Sequence, residues 1–202
     1  MKPLADPLSR LYLTPAYLIL LALLHGCAAP VLAPPIIAAG AGATVALNDE
    51  RPGRVILDDN EIVGGIKDKV YDKFKPEKQI HLNVTCFNGV VLLTGETLTR
   101  DMRSQVLDIA RQQEKVRRVH DELRVTALTP ITSRSNDTWI TSKVKAQMFA
   151  TENFKASKVK VVTEFGNVYL MGLVSRETGT QAGEITRDVS GVKRVVKLFE
   201  YF

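Results

Sequence analysis

The sequence predicts an α+β fold built twice: two domains, each running helix, strand, strand, helix, strand, with the helices on one face of a small mixed sheet. Three observations predict it. Residues 59–72 (DNEIVGGIKDKVYD) and 137–150 (DTWITSKVKAQMFA) carry apolar side chains at i, i+4 and i+8: Ile62, Ile66 and Val70 in the first, Ile140, Val144 and Met148 in the second. Each set makes one core-facing stripe on a helix. Each stretch is then followed by two apolar runs around a Gly-containing turn, which reads as a hairpin. Finally, the motif at 116–119 (VRRV) returns at 192–195 (VKRV) ahead of a last strand, so the chain repeats itself from residue 58 onward.

Before the repeats lies a different kind of sequence. Lys2 and Arg10 flank the start of an apolar run at 11–24 that contains Pro15. A membrane-spanning helix needs roughly 20 apolar residues, so the run is short for an anchor and fits the apolar region of a signal peptide. It ends in Leu24-His25-Gly26-Cys27, which resembles the lipobox of bacterial lipoproteins. Leu24, Gly26 and Cys27 match that pattern; His25 stands where a small or apolar residue is usual. The resemblance implies a signal peptide over 1–26 and acylation of Cys27. Ala28 rather than Asp after the Cys implies sorting to the outer membrane. More than one acyl chain suffices for stable anchoring, whereas a single chain is marginal. Residues 27–57 are rich in Ala, Pro and Gly without a sustained period and are read as a tether.

The first repeat takes residues 58–126 and the second 136–202, with 127–135 (ALTPITSRS) as the linker, marked by Pro130. An Asp near the front of each first helix, Asp59 and Asp137, is placed to cap its N–H groups. In the hairpins, Leu82, Val84 and Cys86 alternate onto one face, as do Val159, Val161 and Thr163. The returning strands, 90–95 and 168–172, each end at a Gly, which fits a change of direction or a close backbone approach. On the second helices, Met102, Val106, Ile109 and Gln113 share one side, and Ala182, Ile185 and Val189 do so more weakly. The last strands are expected at 121–126 and 196–202.

The unit resembles the BON domain. The residues that carry the resemblance are the Gly at each hairpin, the strands VLLTG and VYLMG, the helix after each and VRRV/VKRV before the last strand. It covers nearly all of 58–202. With the lipoprotein-like N-terminus, the whole chain resembles dual-BON-domain outer-membrane lipoproteins. That resemblance implies a non-enzymatic protein on the periplasmic face of the outer membrane. It also implies binding of anionic phospholipid through the second BON domain, a place at the division site, and support of envelope integrity.

Composition is consistent with folded domains: 45% of the 202 residues are hydrophobic and 24% charged. A net charge of +5 is too modest to argue for nucleic acid, and no RNP-like motif, zinc spacing or long basic run is present. Residues 58–126 balance twelve Lys/Arg with twelve Asp/Glu, whereas 136–202 carry ten against seven. The excess cations thus lie in the second copy.

The two first helices differ most on the face away from the core. With about 100° per residue, Trp139, Ser142, Ala146, Phe149 and Ala150 share that side in the second copy, flanked by Lys143 and Lys145. The first copy has Glu61, Gly64, Asp68, Tyr71 and Asp72 there. An apolar helix face with Trp and Phe beside lysines suits a membrane interface. The lipid-binding candidates are therefore Trp139, Lys143, Lys145, Ala146, Phe149 and Ala150. The same pattern also suits docking of an envelope protein, or of the other domain or the tether, and lysines on helices are commonly just solvated. No catalytic, cofactor or metal site is expected. His25, His81 and His120 show no metal-ligand spacing, and no nucleophile elbow or phosphate loop occurs. Cys86 falls on the core face of its strand as a small buried residue. The carboxylates Glu61, Asp68 and Asp72 are read as a solvated face.

Overall fold

The computed structural model describes residues 51–76, 78–129 and 131–202, apart from the side chains of 131–134. The leader, His25, Cys27, the tether through residue 50, and Pro130 lie outside the described residues. The described part belongs to one compact unit, Thr44–Phe202.

The two copies share one order of elements. The first consists of α1 (Gly53–Lys73), β1 (Ile80–Phe87), β2 (Val90–Thr97), α2 (Arg100–Arg111) and β3 (Arg118–Val125). The second consists of α3 (Ile131–Ala150), a short 3-10 turn (Ala156–Lys158), β4 (Lys160–Glu164), β5 (Asn167–Val174), α4 (Arg176–Arg187) and β6 (Arg194–Tyr201). In each sheet the hairpin is antiparallel, and the strand arriving after the helix pairs parallel with the middle strand. This is the mixed α+β sheet that the sequence predicts. The stripes bury as expected: Ile62, Ile66 and Val70 pack on Leu82, Val84, Cys86 and Val91, and Ile140, Val144 and Met148 pack on Val159, Val161 and Val168. The second helices are capped by Thr99 and Ser175, whose side chains accept the N–H groups of Met102 and Thr178.

Several expectations change. First, both leading helices begin earlier. Residues 53–57, assigned to the tether, form the first turns of α1, and α3 starts within the linker at Ile131. Second, Asp59 and Asp137 are therefore inside their helices and cap something else. Asp59 accepts the N–H groups of Asn88 and Gly89, both at 2.9 Å, and Asp137 those of Phe165 and Gly166, both at 2.8 Å. These are the two central residues of each hairpin turn, with φ of 54° and 72°, and 53° and 76°. A turn of that kind points its N–H groups away from the sheet ladder, and the helix carboxylate satisfies them. Third, β2 and β5 do not end at Gly95 and Gly172 but run on to Thr97 and Val174; the close backbone approach is the correct part of that reading. Fourth, β3 starts at Arg118 and β6 at Arg194, so VRRV and VKRV already enter the last strands. Gln113 lies past the end of α2, and Ala110 takes the buried place on that helix.

Asp59 shows how much one such carboxylate does. Burial pushes its pKa up, but the Gly89 N–H, the Cys86 thiol, Arg51 and the Asn88 N–H outweigh this and hold it below the usual carboxylate value. Because the folded carboxyl titrates below the unfolded one, its contribution is complete above about pH 4. That contribution is lost as pH falls through the lowered value. Asp59→Ala leaves two N–H groups without an acceptor and is expected to cost about 3 kcal/mol, read as a lower urea midpoint at unchanged slope.

The two sheets turn their helix-free faces toward each other. Phe87, Val90 and Leu92 from the first copy pack with Tyr169 and Met171 from the second, joined by Val162, Val196 and Leu198. The layers are thus helices, sheet, sheet, helices, with a seam in the middle. Polar groups close its margins. Glu164 receives Asn83 at 2.8 Å and Thr94 at 3.2 Å, and its other carboxylate oxygen lies 3.6 Å from His81 Nε2. Glu122 receives Arg194 at 2.6 Å and the Tyr169 hydroxyl at 3.2 Å. Glu200 receives Arg117 at 2.8 Å and Asn88 at 2.7 Å. Burial pushes the Glu164 carboxyl up, yet His81, Asn83 and Thr94 together hold it below its ordinary value.

Candidate functional site: the outer face of the second domain's first helix

α3 packs one side on β4 and exposes the other. Trp139 and Phe149 are 63% and 64% exposed. Ser142, Ala146 and Ala150 are exposed beside them, and Lys143 and Lys145 are half-buried. Trp139 and Phe149 are ten residues apart, so the face runs about 15 Å along the axis. The structure thus brings together Trp139, Ala146, Phe149 and Ala150, with Lys143 on one flank and Lys145 on the other.

Lys143 is placed by contacts that sequence reasoning missed. Its ammonium donates to the carbonyl of Ser190, in the turn between α4 and β6, and stands 5.9 Å from the centroid of the Trp139 ring. That distance is at the reach of a cation–π contact. The next residue, Gly191, has φ of 98°, and a Cβ there would lie 3.1 Å from the Ile140 side chain. The turn can pass close to α3 because it has none. Gly within SGVKRV, directly before the last strand, is the signal for this.

The matching face of α1 has a different chemistry. Glu61, Asp68 and Asp72 are exposed. Lys115 bridges Asp58 at 2.6 Å and Glu61 at 2.7 Å, and those two carboxylates raise its pKa. Tyr71 donates its hydroxyl back to the Leu82 carbonyl at 3.2 Å. One domain therefore offers an apolar face flanked by cations, and the other a wet, largely acidic one.

Cys86 and His81 are engaged structurally. Cys86 is buried, donates to Asp59 at 3.1 Å, and has its thiol pushed up to about 12 by that burial and the neighbouring carboxylate. It is the small core residue that its strand position implies. His81 lies buried in the seam against Glu164. His120 is lowered by burial and by Arg118. Among the described residues no group of three or more His, Cys, Asp or Glu side chains is placed to hold a metal ion, and no helix is long and apolar enough to cross a membrane.

The family described as "BON domain" matches residues 60–127 and 136–201. The chain is 33% identical to the outer membrane lipoprotein DolP of Haemophilus influenzae over 88% of this chain and 90% of that protein. It is 30% identical to the 21 kDa hemolysin of Actinobacillus pleuropneumoniae, covering 76% of this chain and 79% of the relative. It is also 30% identical to osmotically-inducible protein Y of Escherichia coli K12, covering 69% and 70%.

Proposed function

The chain belongs to the BON-domain family, with two copies in tandem, and on that premise we propose that it is a non-catalytic outer-membrane lipoprotein whose second BON domain binds anionic phospholipid. Acylated Cys27 anchors it, facing the periplasm, and the tether carries the paired domains close enough to reach the leaflet. There it supports envelope integrity, at the division site, as the family resemblance implies. The relative named as an outer membrane lipoprotein supports the location.

The observation that carries the lipid reading is the exposed pair Trp139 and Phe149 on α3, flanked by Lys143 and Lys145, where α1 presents carboxylates. Trp prefers the headgroup level of a bilayer, where its ring is apolar and its N–H stays hydrated. Each lysine near an anionic leaflet adds about 1 kcal/mol before screening. A helix lying in the interface on one apolar face needs no more than this when an acyl anchor has already brought it there.

The chain contains a single tryptophan, so Trp139 reports on its own site. The full chain is anchored in vesicles of phosphatidylcholine alone and in vesicles containing phosphatidylglycerol. The anchor holds the protein on both. Trp139 emission is expected to move to the blue, and to be quenched by brominated acyl chains, only on the anionic vesicles, with the shift fading as salt screens the charge. An emission spectrum unchanged on both vesicles would sink the lipid reading and leave the same face as a docking site for an envelope protein.

A further inference from the structure

The second domain carries a further charged feature away from α3. A groove of about 460 Å³ lies between α4 and the edge strand β6. Arg187, Lys193, Arg194 and Lys197 line it, with Glu184 as the carboxylate on its wall and the Thr180 hydroxyl beside them. Arg194 is held by Glu122 across the seam, and Arg187 stands 3.6 Å from its neighbour Asp188. Lys193 and Lys197 have no ion-pair partner among the described residues.

In the first domain an ion pair and a larger apolar side chain stand at the same place. The helices α2 and α4 superimpose in sequence from Arg100 and Arg176, and the strands β3 and β6 from Arg118 and Arg194. On that match Gly183 corresponds to Leu107, Gly179 to Arg103 and Lys197 to Asp121. In the first domain Leu107 packs against the core, and Arg103 crosses from α2 to β3 to meet Asp121 at 2.9 Å through Nε and 2.8 Å through a terminal nitrogen. Helix and strand are thus bridged by an ion pair. In the second domain the two glycines let the helix lie close on the strand. A Cβ on Gly179 would lie 2.9 Å from the Tyr201 ring, and one on Gly183 would lie 3.4 Å from the Lys197 stem. The carboxylate is replaced by a lysine and the arginine by nothing. The change removes the ion pair that bridges helix and strand in the first domain and puts the unpaired Lys197 in its place, beside Arg187, Lys193 and Arg194, whose counterparts Arg111, Arg117 and Arg118 are also cations.

We propose that this groove is an anion site that takes a phosphate-bearing group. Lys193 and Lys197 provide charge on the strand side, and the Arg187 guanidinium on the helix side can take two phosphate oxygens at once. The groove opens to solvent, so it admits a phosphate carried on a lipid headgroup or on a soluble molecule. It is distinct from the α3 face, and the inference stands whether or not that face binds lipid.

The test follows amide resonances of the full chain in maltoside micelles during titration with inorganic pyrophosphate, and separately with dihexanoyl phosphatidic acid. Saturable shifts at Gly183, Lys193 and Lys197, with Trp139 unmoved by pyrophosphate, are expected. Two variants install the first domain's residues: Lys197→Asp reverses an exposed charge, and Gly183→Leu fills the groove. Each is expected to weaken pyrophosphate binding by about tenfold or more, since one lysine alone contributes about fivefold near an anionic group. Trp139→Glu is expected to leave it unchanged. Groove shifts with both probes assign a headgroup phosphate, and shifts with pyrophosphate alone assign a soluble one. No saturable shift with either probe, or equal binding by wild type and both variants, would overturn the proposal.

Discussion

Gly95→Ala is expected to destabilise the first domain by about 4 kcal/mol, enough to leave a domain of this size largely unfolded. Gly95 sits inside β2, paired with Leu82, at φ of 119°, and a Cβ there would lie 2.1 Å from the His81 carbonyl oxygen. Holding an alanine in that backbone region costs about 1–3 kcal/mol. Separating the two backbones costs a further 1–3 kcal/mol or so, because a carbonyl cannot swing aside as a flexible side chain does. A Cβ on Gly172 would lie 2.3 Å from the Lys158 carbonyl oxygen, so Gly172→Ala is expected to do to the second domain what Gly95→Ala does to the first. The control is Gly64→Ala in the middle of α1, where a Cβ meets nothing within 4 Å. That change is expected to stabilise by about 0.5–1 kcal/mol through helix propensity. Urea unfolding followed by circular dichroism reads all three. A midpoint for Gly95→Ala matching that of wild type would show that the strands part there more readily than their geometry indicates.

The same glycines mark what a sequence can and cannot say here. The helices and hairpins are legible because their signals are local: Ile140, Val144 and Met148 are four residues apart, and Asn88-Gly89 lies between two apolar runs. The close approach at Gly95 is legible as a glycine in a strand, but the strand's continuation beyond it is not, because Thr97 reads as turn chemistry. Asp59 looks like a helix cap from its neighbours in sequence. Its partners lie about thirty residues away in the hairpin, and only the tertiary fold brings them together. The outer face of α3 is legible because exposure follows the helical period, whereas the hold of Ser190 on Lys143 depends on the packing of a distant turn. The seam had a signal that alternation obscures. VVLL and VYLM are apolar at every position, which is the mark of a strand buried on both faces. Val91 and Leu93 serve the first core, while Val90 and Leu92 serve the seam.

Met171→Asp is expected to part the two domains while leaving each folded. Met171 is fully buried in the seam among Phe87, Leu92 and Tyr169 and makes no part of the second domain's own core. A carboxylate there has no partner, and burying an unpaired charge costs several kcal/mol. Undocking avoids that cost by returning the carboxylate to water, at the expense of the seam's apolar contacts and the cross-bonds of Glu164, Glu122 and Glu200. Each domain retains its helix-to-sheet core, so unfolding is not the cheapest response. Wild type is expected to unfold in urea in one transition and Met171→Asp in two, with trypsin cutting the variant between the domains before either melts. A single transition, merely shifted down, would show that the domains do not fold apart. The variant also separates the two levels of the functional reading. Trp139 stands on a helix packed against its own domain, so its blue shift on anionic vesicles is expected to survive undocking. If the shift is lost with the seam, the membrane face belongs to the paired domains rather than to α3 alone, and the seam then acts to hold that face toward the leaflet.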